Sequence, residues 1–304
     1  MIYGHTALIW LLFAGAVALL LAIDLGLTRR RPHAPSFREA AWWSVAVVAA
    51  AMLFCGLILL RRGHSEALQF ATGYIVELAL SVDNLLVFML VLHYFAVPAA
   101  LQPSVLKWGI LGAIVMRGLM IAIGTVLLRE LSWVIYPFGA LLAVTGVKML
   151  VRPDDQPGEP ERNPVLRAAR RLLPIGDRFE GAAFFTRQNG RLVATPLLLV
   201  VLVVEWTDLV FATDSIPAIF AITRDPFLVY TSNMFAIIAL RALFFLLAGI
   251  MMRLIHLRVG VAIVLILVGI KMLASPWIGV PPEITLAVVV GVLGMSVLAS
   301  LRNA

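Results

Sequence analysis

The sequence predicts an all-α, polytopic transmembrane helical bundle of about nine spans, and three observations carry that expectation. Of 304 residues, 62% are hydrophobic and only 13% charged, with a mean hydropathy of +1.00, far from the mix of a soluble domain. Apolar runs long enough for a ~30 Å hydrocarbon core recur along the whole chain. Two of those runs carry acids at the same spacing, which predicts a three-plus-three inverted repeat of spans 3–5 and 6–8.

The nine runs fall at about residues 6–27, 40–60, 67–92, 105–128, 131–151, 195–221, 227–250, 258–274 and 284–301. The first lacks a positively charged lead and is longer than a signal-peptide core, so it reads as a retained span. The chain is expected to form one transmembrane transporter domain, 1–304, with a first repeat at 67–151 and a second at 192–274. The connection 152–191 between them, with eight Arg and the run VRPDDQPGEPERNP, reads as a hydrophilic cytoplasmic linker. Near its end, Asn189-Gly190 between residues of strand propensity predicts a small hairpin with a type I′ turn.

The net charge of +7 suggests no nucleic-acid partner, because the basic residues sit between the apolar runs, where they set topology. With the N-terminus outside, cytoplasmic connections collect fifteen Lys and Arg; outside ones collect four, Arg61, Arg62, Arg129 and Arg224. The bias places the N-terminus outside and the C-terminus inside. The single cysteine, Cys55, excludes an internal disulfide and a cysteine metal cluster.

Three anchors align the halves. Glu77 and Asp83-Asn84 match Asp208 and Asp214-Ser215; Arg117 matches Arg241; and Gly146-Val147-Lys148-Met149-Leu150 matches Gly269-Ile270-Lys271-Met272-Leu273. The offsets are 131, 124 and 123 residues. Three spans per half oblige the second half to cross the bilayer in the opposite sense, the logic of transporters whose site lies at the repeat interface.

Five acids fall inside spans: Glu77, Asp83, Glu205, Asp208 and Asp214. One charge at a helix centre costs roughly 2.5–3.5 kcal/mol, several times what a single Leu or Val returns, so intramembrane acids are functional candidates. On a straight helix Glu205 and Asp208 lie about 60° apart and Glu205 and Asp214 about 180° apart. Pro217 predicts a kink or unwound turn at Thr213–Pro217 that would bring Asp214 round and free carbonyls. With Asn84, Ser215, Thr207 and Thr213, the acids offer an all-oxygen site suited to Mg²⁺, Ca²⁺ or Mn²⁺. Arg117 and Arg241 are expected as gating or charge-pairing residues, by stapling the bundle or by substituting for the cation. Lys148 and Lys271 lie near span ends, where lysines snorkel, and Asp24 stands beside Arg29 to Arg31 at the end of the first span; all three are minor candidates. Zinc-protease, phosphate-loop and nucleophile-elbow motifs are absent, so no enzyme is expected.

The runs ATGYIVELALSVDNLLVF (71–88), YFAVP (94–98), TGVKML (145–150) and TPLLLVVLVVEWTDLVFATDSIPAIFAITRDPFLVYTSNMFAIIALRALFF (195–245) resemble the TerC family of membrane proteins, in particular its Alx-like branch. The resemblance extends from Ile23-Asp24-Leu25-Gly26 to the Gly-Ile-Lys-Met-Leu run at 269–273. It implies Mn²⁺ efflux, through similarity to cation exporters, alongside the tellurium resistance that named the family. Carried over, the family's acidic motifs fall on Glu77, Asp83, Asn84, Glu205, Asp208, Asp214 and Ser215. After YFAVP the family's Gln-His-Arg-Val-Leu is replaced by Gln102-Pro103-Ser104-Val105-Leu106, so no role of that His and Arg carries over.

The expectation is an exporter of Mn²⁺ in the bacterial cytoplasmic membrane, with Asp83 and Asp214 as central ligands and the other acids completing the site or carrying exchanged protons. Its partners are the lipid bilayer, the divalent cation and protons; Mn²⁺ is a substrate, and no prosthetic cofactor is expected. The alternatives are a transporter of Ca²⁺ or Mg²⁺, and a membrane-assembly or stress-response partner acting through the 152–191 loop.

Overall fold

The structure, a computed structural model, describes residues 10–11, 13–15, 17–19, 21–22, 37–151, 163–176, 178–188, 191–247 and 256–302; for Asp83, Leu86, Ser132, Gln188, Arg241, Ala242 and Leu247 it describes the backbone alone. The described residues between 10 and 22 are helical. Among the described residues, nine further α-helices follow. The first, α1 (Phe37–Arg62), ends at Gly63, whose φ of 109° turns the chain straight into α2 (His64–Tyr94); this left-handed value favours glycine. Next, α3 (Gln102–Glu130) starts with Pro103 in its first turn. After a 3₁₀ turn at Ser132–Val134 comes α4 (Ile135–Val151).

The 152–191 connection is more than a hydrophilic linker. It holds α5 (Pro164–Leu172), where Asn163 Oδ1 accepts from the amides of Val165 (2.9 Å) and Leu166 (3.2 Å), an N-cap followed by proline at the first helical position. Leu166 and Ala169 are buried with Leu197 and Leu199, while Arg170 and Arg171 face outward. The expected hairpin pairs β1 (Phe185–Gln188) with β2 (Arg191–Ala194) in antiparallel register, Gln188 opposite Arg191. Asn189 and Gly190 themselves lie outside the described residues.

The second half comprises α6 (Pro196–Ile222), α7 (Pro226–Leu247), α8 (Leu257–Ala274) and α9 (Pro282–Arg302). By length and composition, α1, α2, α3, α6, α8 and α9 can cross a membrane; α4 and the Pro226–Leu240 part of α7 are shorter apolar helices. The chain is therefore an all-α polytopic membrane protein. The first expected span lies mostly outside the described residues.

Residues 231–240 of α7 are all buried, the polar Thr231, Ser232 and Asn233 together with the apolar run 234–240, so that run packs on every side. Trp42, Leu53, Val115, Leu119, Met295 and Leu298 stand exposed on α1, α3 and α9, an apolar outer surface that lipid covers. Each half packs into the other: α2 lies on α7 and α6, α3 on α6 and α7, and α4 on α8, whereas consecutive α6 and α7 barely touch. Phe13, Phe54, Phe227 and Phe235 interlock at centroid distances such as 5.2 Å for Phe54 and Phe235, joining the N-terminal residues to α1 and α7.

Helix ends meet in two sets. Arg62 Nη2 pairs with Asp225 Oδ2 at 2.8 Å and His64 stands 3.6 Å from Glu283. At the opposite ends of the helices, Trp108 packs on Phe184 at 5.3 Å and the His256 amide donates to Ser300 Oγ at 3.0 Å.

Candidate cation site

The helix period of α6 decides which side chains share a direction. Asp208 and Ser215, seven residues apart, project within about 20° of each other, while Asp214 points about 120° away from Asp208. On α2, Glu77 and Asn84 have the same seven-residue spacing. The Asp208 face meets α3 and α2, and there Arg117 closes the gap. Its Nε donates to Asp208 Oδ2 (3.2 Å) and its Nη2 to Asp208 Oδ1 (3.1 Å), the bidentate fork geometry of a strong charge-assisted pair. Its Nη1 donates to Glu77 Oε1 and reaches Ser215 Oγ at 3.4 Å.

Burial makes this cluster consequential. Glu77, Arg117 and Asp208 are 0%, 1% and 3% exposed, about halfway along their helices. Glu77 Oε2 is buried without a hydrogen-bond partner among the described residues. A charge removed from water is tolerated only when paired, and here one guanidinium serves two carboxyl groups.

The other candidates stand outside this set of hydrogen bonds, Glu205 one turn before Asp208. Glu205 packs its carboxyl group against Gly112 of α3, where an added Cβ would displace it; its Oε2 is also buried and unpartnered among the described residues. Asp214 accepts from Thr145 Oγ1 of α4 at 3.1 Å. Asn84 is buried on α2, and Thr207 Oγ1 donates to the Val203 carbonyl at 2.7 Å. The side chains of Asp83 and Arg241, and all of Asp24, lie outside the described residues. Among those described, no three His, Cys, Asp or Glu residues form a group that could hold a metal ion.

The expected unwound turn at Thr213–Pro217 is absent: α6 is helical from Pro196 to Ile222 through Pro217. Proline frees only the carbonyl one turn back, and packing on every side of a membrane helix preserves the rest. Asp214 therefore stays on its own face, toward α4. Lys148 is exposed near the end of α4, and Lys271, near the end of α8, donates from Nζ to Thr285 Oγ1 in the first turn of α9 at 3.0 Å.

Sequence reasoning missed Thr145 and Asp225. Thr145 stands in the TGVKML run already quoted, with a hydroxyl at span depth as its signal. Asp225 is the N-cap of α7, its Oδ1 accepting from the Phe227 amide at 2.9 Å, and the Asp-Pro pair preceding an apolar run announces that cap.

An apolar bundle with paired and unpaired carboxylates at its centre defines a polytopic integral membrane protein with a buried polar site. The chain belongs to the TerC family: residues 62–304 match the family described as "Integral membrane protein TerC family". Among its relatives, "Uncharacterized membrane protein STKORF319" of Myxococcus xanthus is 45% identical over 293 residues, 96% of this chain and 92% of that one. "Putative membrane-bound redox modulator Alx" of Escherichia coli K12 is 46% identical over 300 residues, 96% and 93% of the two chains. An uncharacterized membrane protein of Rickettsia felis is 35% identical over 292 residues, 96% of this chain and 97% of that one. No solved structure matches the chain.

Proposed function

We propose that this protein exports a divalent cation, Mn²⁺ first among them, from the cytoplasm, with Glu77 and Asp208 at the centre of the path. The observation that carries the reading is the fully buried Glu77–Arg117–Asp208 cluster, in which two acids share a single guanidinium and Glu77 Oε2 has no partner among the described residues. Carboxylate and hydroxyl oxygens are the donors hard cations take. Glu205, one turn from Asp208 toward the cytoplasmic end of α6, and Asp214 and Asp83, each about 9 Å along its helix from the cluster, extend acids toward the two faces. Glu205 is the candidate to carry an exchanged proton.

Reciprocal contacts between the halves support an inverted repeat. The α2–α7 contact corresponds to the α6–α3 contact, and α4 meets its own counterpart, α8; a two-fold relation requires such exchange. This relation swaps Glu77 and Asp208, so the acid pair belongs to both halves. Nine spans follow when the first apolar run, at about residues 6–27, together with α4, extended by its 3₁₀ turn, and α7 cross beside the six longer helices. The two sets of helix-end contacts agree with an alternation of sides, and the Lys and Arg bias of the connections puts the N-terminus outside.

One relative's name speaks of redox modulation. Dithiol chemistry within one chain needs two cysteines, and this chain has only Cys55, so export is the reading we adopt.

The test is Mn²⁺ uptake into inside-out vesicles with the full-length protein, with and without a pH gradient, beside Asp208→Asn. Uptake that disappears in the variant supports the path, and dependence on the gradient supports proton exchange. Wild-type uptake at the protein-free background removes Mn²⁺ export; if activity in cells then survives Asp208→Asn but not changes within 163–194, the partner-binding alternative takes its place.

A further inference from the structure

We propose that Arg117 is a tethered counter-cation which divalent ions, but not monovalent ones, displace from the Glu77–Asp208 pair, making it a selectivity residue of the path; this rests on the export reading above. With both carboxyl groups ionised, the pair and one guanidinium carry a net negative charge in a water-poor site. A monovalent ion taking the place of Arg117 exchanges like for like and forfeits the bidentate fork on Asp208 and the bond to Glu77. A divalent ion brings the second charge and balances both acids, where Coulomb terms are less screened than in water.

The geometry supplies what such an exchange needs. The acids come from α2 and α6 and the arginine from α3, so the guanidinium can leave without dismantling the pair. Glu77 Oε2, fully buried in the cluster and unpartnered among the described residues, is an oxygen the arginine does not use. The contact to Ser215 Oγ is long, 3.4 Å. An acceptor for the departing guanidinium is near: Glu205 precedes Asp208 by one turn, lies against Gly112 on the same α3 helix as Arg117, and keeps a buried Oε2 without a partner among the described residues.

The test measures Mn²⁺ binding by purified full-length protein in nanodiscs, in sodium chloride and in choline chloride of equal ionic strength, for wild type, Arg117→Ala and Arg117→Lys. Wild-type affinity is expected to be the same in both salts. Arg117→Ala is expected to bind Mn²⁺ about tenfold or more tightly in choline, since no competitor must be displaced. In that variant Na⁺ and millimolar guanidinium ion should both weaken binding, guanidinium by refilling the vacated place. A folded Arg117→Ala protein with wild-type affinity and no sensitivity to guanidinium overturns the proposal. Should that variant not fold, Arg117→Lys decides: it keeps the charge and loses the fork, so tighter Mn²⁺ binding with retained indifference to Na⁺ is expected, and unchanged affinity overturns the proposal. Wild type that neither binds nor transports Mn²⁺ overturns the export reading itself, and this inference with it.

Discussion

Gly139 of α4 and Gly269 of α8 face each other backbone to backbone: a Cβ on Gly269 would stand 2.7 Å from the Gly139 carbonyl oxygen, and one on Gly139 would stand 3.0 Å from that of Gly269. Their counterparts 123 residues away, Ala262 and Gly146, meet in the same manner, a Cβ on Gly146 falling 2.6 Å from the Ala262 carbonyl oxygen. Small residues let membrane helices approach this closely. Gly269→Leu is expected to push the pair apart and destabilise the protein by ~1–3 kcal/mol or more, read as a lower melting temperature in detergent. Gly291→Ala, where nothing lies within 4 Å of an added Cβ, is expected to leave it unchanged or slightly raised.

Asp208 and Asp214 should separate under the same substitution. Asp208→Asn removes a charge from a buried pair, a loss of roughly 3 kcal/mol, and both melting temperature and Mn²⁺ uptake are expected to fall. Asp214→Asn can still accept from Thr145, so the fold is expected to hold while uptake drops. Equal thermal losses in the two variants would contradict the separate placement of these acids.

Arg62 and Asp225 fasten the end of α1 to the start of α7, with Arg62 also 5.6 Å from the Phe227 ring centre. A double-mutant cycle with Arg62→Gln and Asp225→Asn is expected to give a coupling of about 1 kcal/mol. Asp225→Ala should cost about 1 kcal/mol more, through the lost helix cap. Additive single effects would mean that the pair contributes no net coupling.

Asn163 caps α5, a short helix of the 152–191 connection that packs on the bundle through Leu166 and Ala169. Asn163→Ala is expected to weaken that helix by ~1 kcal/mol and to speed amide exchange across 164–172, with uptake unchanged. Unaltered exchange there would show that burial of Leu166 and Ala169 alone holds the helix.

Orientation is checked by labelling in a Cys55→Ser background. An impermeant maleimide added to right-side-out vesicles is expected to react with Gly279→Cys and not with Leu172→Cys, both at exposed positions. The reverse pattern would invert the assignment and turn export into uptake.

The helices were legible because a bilayer demands long apolar segments with internally satisfied backbones, so α1, α2, α3, α6 and α9 lie within a few residues of the apolar runs. The hairpin was legible because Asn-Gly suits a two-residue turn, and the strands on either side have the required register. Helix α5 was overlooked although Asn163-Pro164, followed by apolar Leu166, Ala169 and Leu173, carries its signature; the surrounding charge and proline content hid it. Pro217 misled, since its local preference for a break is a single lost bond against the packing of a whole helix.

The sequence by itself determined that this is a membrane bundle, where most of its helices run, and which few residues bring charge and oxygen into the apolar interior, because hydropathy and spacing are properties of contiguous residues. Only the tertiary structure decided which of those residues meet. Arg117 stands 40 residues from Glu77 and 91 from Asp208, and their encounter depends on how α2, α3 and α6 are rotated about their own axes. That rotation is set by packing between distant segments, by Gly112 admitting Glu205 and by continuous α6 turning Asp214 toward Thr145; the spacing of acids along the chain does not contain it.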